Sequence, residues 1–244
     1  MERINKTQFL DLSVASKQFN HFSEAQVVGY NPLSFETNFM LDQSITLHQT
    51  LIINDTNIYA SPHKGKCLLA DLDGGCLHTH SQKERLLNRT LGFRYRYPLM
   101  TSQGIFSPLE KHVWQSGIWL NIMQITTLKS CHDSADCAVT FRNGYQLLLP
   151  KSLRAIKRSI KKDLVYSYVY FSFFERLLSD DLGARPKYSS KVSEKAAELS
   201  LVIPVEMNLK TYDKMKDELE YIVTQDYFKR MGQPELLEEM QRYN

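Results

Sequence analysis

The sequence has no hydrophobic run able to span a bilayer. Its longest, Leu164 to Phe174, falls well short of the roughly 20 apolar residues such a span needs, with Lys161, Lys162 and Asp163 before it and Glu175 and Arg176 after it. Residues Met1 to Asp11 lack the apolar stretch of a secretory signal, so a cytoplasmic chain with no membrane attachment is expected. Cysteine is sparse: Cys67, Cys76, Cys131 and Cys137 make four thiols in 244 residues, and a chain of that length buries enough apolar surface to fold without bridges. Glycine-rich phosphate loops, the G-x-S-x-G nucleophile elbow and the H-E-x-x-H zinc signature are all missing. No internal repeat and no low-complexity segment occurs. These absences remove the transmembrane, exported and disulfide-scaffold classes and leave no recognisable catalytic constellation. The expectation is a non-enzymatic protein without a cofactor.

What remains is an ordinary hydrophobic content, 43%, and an uneven distribution of charge. Residues 1–60 carry 3 basic and 6 acidic side chains, residues 61–190 carry 19 and 10, and residues 191–244 carry 8 and 11. A middle of net +9 lies between two ends of net −3, for +3 overall. Such a basic centre points to a polyanion as partner; a solvated basic face with no partner is the alternative.

Periodicity organises the chain. SITLHQTLIIN (44–54) alternates polar and apolar residues and reads as a strand, and KCLLADL (66–72) as a second one ending at Gly74-Gly75. SQKERLLNRTL (81–91) predicts a short basic helix closed by Gly92. FRYRY (93–97) favours a strand up to Pro98, and GIWLNIMQITTL (117–128) a further one. In AVTFRNGYQLLL (138–149) the pair Asn143-Gly144 predicts a hairpin with a two-residue turn. After Pro150, Ser152 is placed to cap a helix reaching to about Leu178. Helices are also expected at about 191–201, at 211–231 and from Pro234 onward. Strands first and helices last predicts an α+β fold: a mainly antiparallel sheet domain followed by a long basic helix and a helical C-terminal extension. The polar stretch with Gly183 and Pro186 sets the boundaries, with a DNA-binding domain over 1–180, a linker over 181–190 and the extension over 191–244. Tyr212, Met215, Leu219 and Ile222 form a narrow apolar seam at helical spacing. That seam is expected to mediate self-association, or else to cover the chain's own sheet.

The helix after Ser152 carries the strongest functional signal. Arg154, Lys157, Arg158, Lys161 and Lys162, with Lys151 just before them, follow the i, i+3, i+4, i+7, i+8 spacing of one helix face. Leu153, Ile156, Ile160 and Leu164 form a neighbouring apolar face, and no acidic residue interrupts the basic one before Asp163. A helix anchored on one side with an unneutralised stripe on the other suits phosphate contacts. A second cluster comprises Lys83, Arg85, Arg89, Arg94 and Arg96, with Phe93, Tyr95 and Tyr97 interleaved. Strand alternation places its arginines opposite its aromatics, so the aromatics are expected in the core. The arginines Arg85, Arg89, Arg94 and Arg96 are candidates for entry into a narrow minor groove. CLHTH (76–80) and CHDSADC (131–137) bring thiols and imidazoles together, but their spacings match no structural zinc pattern, so no metal is expected. Asp71, Asp73 and Glu84 offer a nuclease-like acidic set as an alternative, as does a protein-interaction module without DNA binding.

Several stretches, in order, resemble the bacterial competence transcription factor ComK family: GYNPLSFETNF (29–39), GGCLHTHSQKERLL (74–87), YRYPLM (95–100), GIFSP (104–108), SGIWLN (116–121) with Trp119 in the place of a family tryptophan, and VTFRNGYQLLLPKSL (139–153). The similarity covers residues 29–165. Asn121 and Gly117 stand where the family tends to have histidine and cysteine. The resemblance implies a transcription regulator that activates DNA-uptake genes. Such proteins bind paired A/T-rich boxes of double-stranded DNA through the minor groove as homo-oligomers, and are controlled by a proteolytic adaptor.

Overall fold

In the computed structural model, residues 9–11, 25–42, 50–73, 79–92, 97–101, 103–109, 117–131, 136–182, 188–203 and 207–232 are described. Eleven strands among these residues form two sheets. A four-stranded sheet has β1 (Phe9–Asp11) beside β11 (Gln146–Leu149), then β10 (Cys137–Phe141) and β9 (Ile125–Ser130). A seven-stranded sheet runs β2 (Gln26–Val27), β5 (Ile58–Ser61), β4 (Thr50–Asn54), β3 (Thr37–Asp42), β8 (Ile118–Asn121), β7 (Gly104–Leu109) and β6 (Leu99–Thr101). All pairings are antiparallel except β1 with β11 and β2 with β5, which are parallel. Five helices complete the α+β architecture: α1 (Gly65–Asp73), α2 (His80–Leu91), α3 (Leu153–Leu182), α4 (Tyr188–Glu198) and α5 (Leu209–Arg230). Among the described residues, no helix is long and apolar enough to cross a membrane.

Strand alternation explains why the large sheet is covered on both faces. Phe39, Leu41, Leu51 and Ile53 point one way, into a core shared with Val139, Phe141, Leu147 and Leu149 of the small sheet. Met40 and Ile52 point the other way, onto Leu68 and Leu69 of α1. Each such fully buried aliphatic contributes about 1.5–3 kcal/mol. The N-terminal half of α3 closes the first core with Ile156, Ile160 and Leu164, and Val192, Ala196 and Leu199 from α4 and the turn after it join them. A third cluster gathers Leu86 and Leu87 of α2, Tyr166, Tyr170 and Phe173 of α3, and Tyr212, Met215, Leu219 and Ile222 of α5. The seam of α5 is therefore filled within the chain, and residues 191–203 share the main core.

Several expectations are corrected. KCLLADL is helical, not a strand: Leu68 and Leu69 meet the back of the large sheet, and the Asp42 carboxylate accepts the Gly65 N–H at 2.7 Å, holding the helix start. The expected strand 117–128 is broken at Ile122–Gln124 by a 3₁₀ turn, capped by the Asn121 side chain, which accepts from the Met123 N–H. Its two halves enter different sheets. The hairpin forms, but with the three-residue loop Arg142-Asn143-Gly144. Gly144 N–H donates to Phe141 O and Phe141 N–H to Tyr145 O, and of the Asn-Gly pair only Gly144 (φ +84°) adopts positive φ. The helix expected from Ser152 runs four residues past Leu178, to Leu182. Residues 43–49, 93–96 and 233–244, which hold the start of the expected strand 44–54, most of FRYRY and the expected last helix, lie outside the described residues.

Candidate nucleic-acid interface

The basic helix begins as its sequence dictates. The Ser152 Oγ accepts the Ala155 N–H at 3.3 Å, and Ile156, Ile160 and Leu164 are fully buried against the sheets. That anchoring fixes the rotation of α3 and turns the opposite face outward. Arg154, Arg158, Lys161 and Lys162 are exposed and Lys157 is half-buried. From Arg154 to Lys162 the stripe is roughly 12 Å long at 1.5 Å per residue, and duplex DNA carries about one phosphate charge per 1.7 Å of axis. Among the described residues, no carboxylate lies within 4.0 Å of Arg154, Lys157, Arg158 or Lys161. Lys162 extends over the Tyr166 ring, 5.4 Å from its centroid. Lys151 is half-buried at the entry to the helix.

The stripe also sits where the helix itself resists it. The first turn of α3 holds no acidic residue, and a cation near a helix N-terminus is disfavoured by about 0.3–1 kcal/mol through the backbone dipole. Of the stripe, Arg154 lies in that first turn. Asp163, which ends the stripe, is not on its exposed face. It is buried beneath the helix and bonded to the Ser107 hydroxyl, and burial pushes its carboxyl up to about 7.

The second cluster divides. Arg85 is committed to the chain itself: its guanidinium donates to Asp226 Oδ1 at 2.6 Å and to Gln225 Oε1 on α5. Gln82 donates to the same Asp226 carboxylate, which these contacts hold below its usual range against the opposing pull of burial. Arg89 pairs with Glu218 at 3.2 Å and stacks on the Tyr221 ring at 4.7 Å. Lys83 is buried and donates to Met100 O. Arg94 and Arg96 lie outside the described residues. The helix carrying Arg85 and Arg89 is defined by a capping box, with Thr79 and Gln82 exchanging hydrogen bonds, and by Gly92 at φ +68°. The carboxylates that claim the two arginines lie well over 100 positions away in sequence, so no local signal marks them.

The motif residues behind the ComK resemblance act as anchors. Asn31 donates to Leu68 O at 2.7 Å, Trp119 Nε1 donates to Asp42 at 3.2 Å, and buried Asn121 donates to Thr37 O at 2.9 Å. Cys137 is buried, which pushes its thiol up to about 11, while Cys67 is exposed and Cys131 half-buried. Cys76 lies outside the described residues. Among the described residues, no group of three His, Cys, Asp or Glu side chains is placed to hold a metal ion. No family model, no curated protein and no solved structure matches the chain.

Proposed function

We propose that the chain is a DNA-binding transcription regulator in which the stripe on the first half of α3 supplies the phosphate contacts. One observation carries the reading: five cations on the outer face of an anchored helix, four of them without a carboxylate neighbour among the described residues. Such a stripe positions a duplex and supplies affinity without reading sequence. The finer part of the proposal rests on the ComK-like motifs: an activator of DNA-uptake genes, working as a homo-oligomer on A/T-rich boxes. The stripe has no Asn or Gln to grip adenine edges in the major groove, which agrees with readout by groove shape through Arg94 and Arg96.

The test uses the full chain with duplexes of equal length. Those carrying two A/T tracts in helical phase should bind more tightly than G/C-rich ones, netropsin should compete, and methylation of guanine N7 should have little effect. Binding that resists netropsin but is abolished by guanine methylation would transfer base reading to α3 and sink the minor-groove model. A labelled plasmid incubated with Mg²⁺ should be retarded intact; cleavage would instead mark a nuclease.

A further inference from the structure

A cleft of about 460 Å³ opens between the small sheet's hairpin loop, the β6–β7 turn and α4. Its volume falls in the range of small-molecule sites. Three aromatic rings line it, those of Phe35, Phe171 and Tyr188. Phe171 and Tyr188 stack on each other with centroids 5.4 Å apart and planes at 27°. Tyr188 is still 49% exposed, and Phe35, at 62%, is among the most exposed large apolar side chains described. Three cations complete the lining: Arg142, Lys191 and Lys195. Lys195 is occupied, being buried and donating to Ile125 O at 2.8 Å and to Glu198 at 2.5 Å. Arg142 and Lys191 are exposed and, among the described residues, have no carboxylate within 4.0 Å. The Arg142 loop is pinned, with its backbone N–H donating to Gln124 O at 2.9 Å and Asn143 donating to Asp55 O at 3.3 Å.

Lys191 Nζ lies over the Tyr188 ring, 5.8 Å from its centroid. Exposed rings beside cations that no carboxylate claims are the components that hold a flat ring with an attached anion. We propose that this cleft binds one nucleotide unit, its base stacked on Phe35 beside the edge of Tyr188 and its phosphate held by Arg142 and Lys191. Glu194, also in the lining, supplies the acceptor that a ribose hydroxyl or an exocyclic amine needs. Glu198 is engaged by Lys195 and does not oppose the anion. Lys162, the last of the α3 stripe, and Phe171 are nine positions apart on one helix, roughly 14 Å. The cleft is thus separate from the duplex-binding stripe and stands whether or not that reading holds. Its nucleotide has two sources, a free mononucleotide or an unpaired nucleotide of a single strand.

The test is calorimetric titration of the full chain with AMP, adenosine, inorganic phosphate and the single strand dA6. AMP should bind at one site, with adenosine and phosphate each about tenfold weaker or more. Arg142→Gln, a surface change, should narrow the gap between AMP and adenosine, and adding Lys191→Gln should close it, with adenosine unchanged. Tyr188→Ala and Phe35→Ala should weaken both by about tenfold. Displacement of AMP by dA6 assigns the site to a strand-borne nucleotide; bound AMP that dA6 cannot displace assigns it to the free one. No heat with AMP, equal affinity for AMP and adenosine, or indifference to Arg142→Gln in a folded variant overturns the proposal.

Discussion

The two halves of α3 are one continuous helix with opposite surroundings. From Leu153 to Lys162 a single face is buried and the remainder is solvated and basic. From Asp163 to Phe174 every residue is buried or half-buried, beneath the strands and packed by α2, α4 and α5. The second half spends its surface on stability: Tyr166 packs on Tyr97 at 5.5 Å, and Phe171, Tyr170, Phe174, Phe173 and Tyr212 follow one another in ring contacts at 5.0–5.9 Å. The first half keeps only the aliphatic ridge needed to hold its orientation. A helix so divided presents its charges on a rigid mount, because the rotation of the exposed half is fixed by the packing of the other.

The division breaks most sharply on removal of the stripe. Replacing Lys157, Arg158, Lys161 and Lys162 by Gln should weaken binding to all duplexes by roughly 10³-fold at 0.1 M salt, and flatten the salt dependence by about 0.9 slope units per lost contact. The thermal unfolding midpoint should hardly change. An unaltered slope in the folded variant would make the stripe a solvated face and nothing more.

At the junction of the halves sits Asp163, whose carboxyl burial raises to about 7 from an ordinary 3.8. The folded chain therefore keeps a proton that the unfolded chain has already released. Its contribution is full below about pH 4, is lost as pH rises toward 7, and the loss levels off above that. Asp163→Asn, which retains a partner for Ser107, should be more stable than the parent at pH 8 by on the order of 4 kcal/mol and level with it near pH 4. Denaturant titrations at the two pH values decide it; a constant difference would refute a buried neutral carboxyl.

The smallest effect sharpens the contrast between the two basic clusters. Arg85→Ala removes the tie from α2 to α5 and should cost about 1–2 kcal/mol of stability, as for a partly buried charged hydrogen bond. It should leave the salt slope of DNA binding untouched. A slope lowered by Arg85→Ala as much as by a stripe substitution would return Arg85 to the DNA surface.

Local chemistry was legible where it sufficed. Gly92 ends α2, Ser152 opens α3, and the Asn-Gly pair bends the hairpin, all through interactions spanning a few residues. The apolar and basic faces of α3 followed from spacing alone. The errors fall where distant packing decides. KCLLADL has no periodicity of its own strong enough to choose, and the sheet surface under Leu68 and Leu69 chooses helix. GIWLNIMQITTL reads as one strand because nothing in it announces that Asn121 caps a turn between two sheets. The arginines of α2 looked free because Glu218 and Asp226 reach them only after the chain has folded back. Rings and cations of the cleft come from separate segments, and no stretch of sequence brings Phe35, Arg142 and Tyr188 together.

The parallel pairing of β1 with β11 places Phe9 beside Gln146, which has a consequence during synthesis. At about 5–20 residues per second, the ribosome leaves that first strand waiting roughly 7 to 27 s for the segment that completes it. Throughout that interval the segment lacks its β11 partner. The pairing closes only when the hairpin at 137–149 emerges from the exit tunnel.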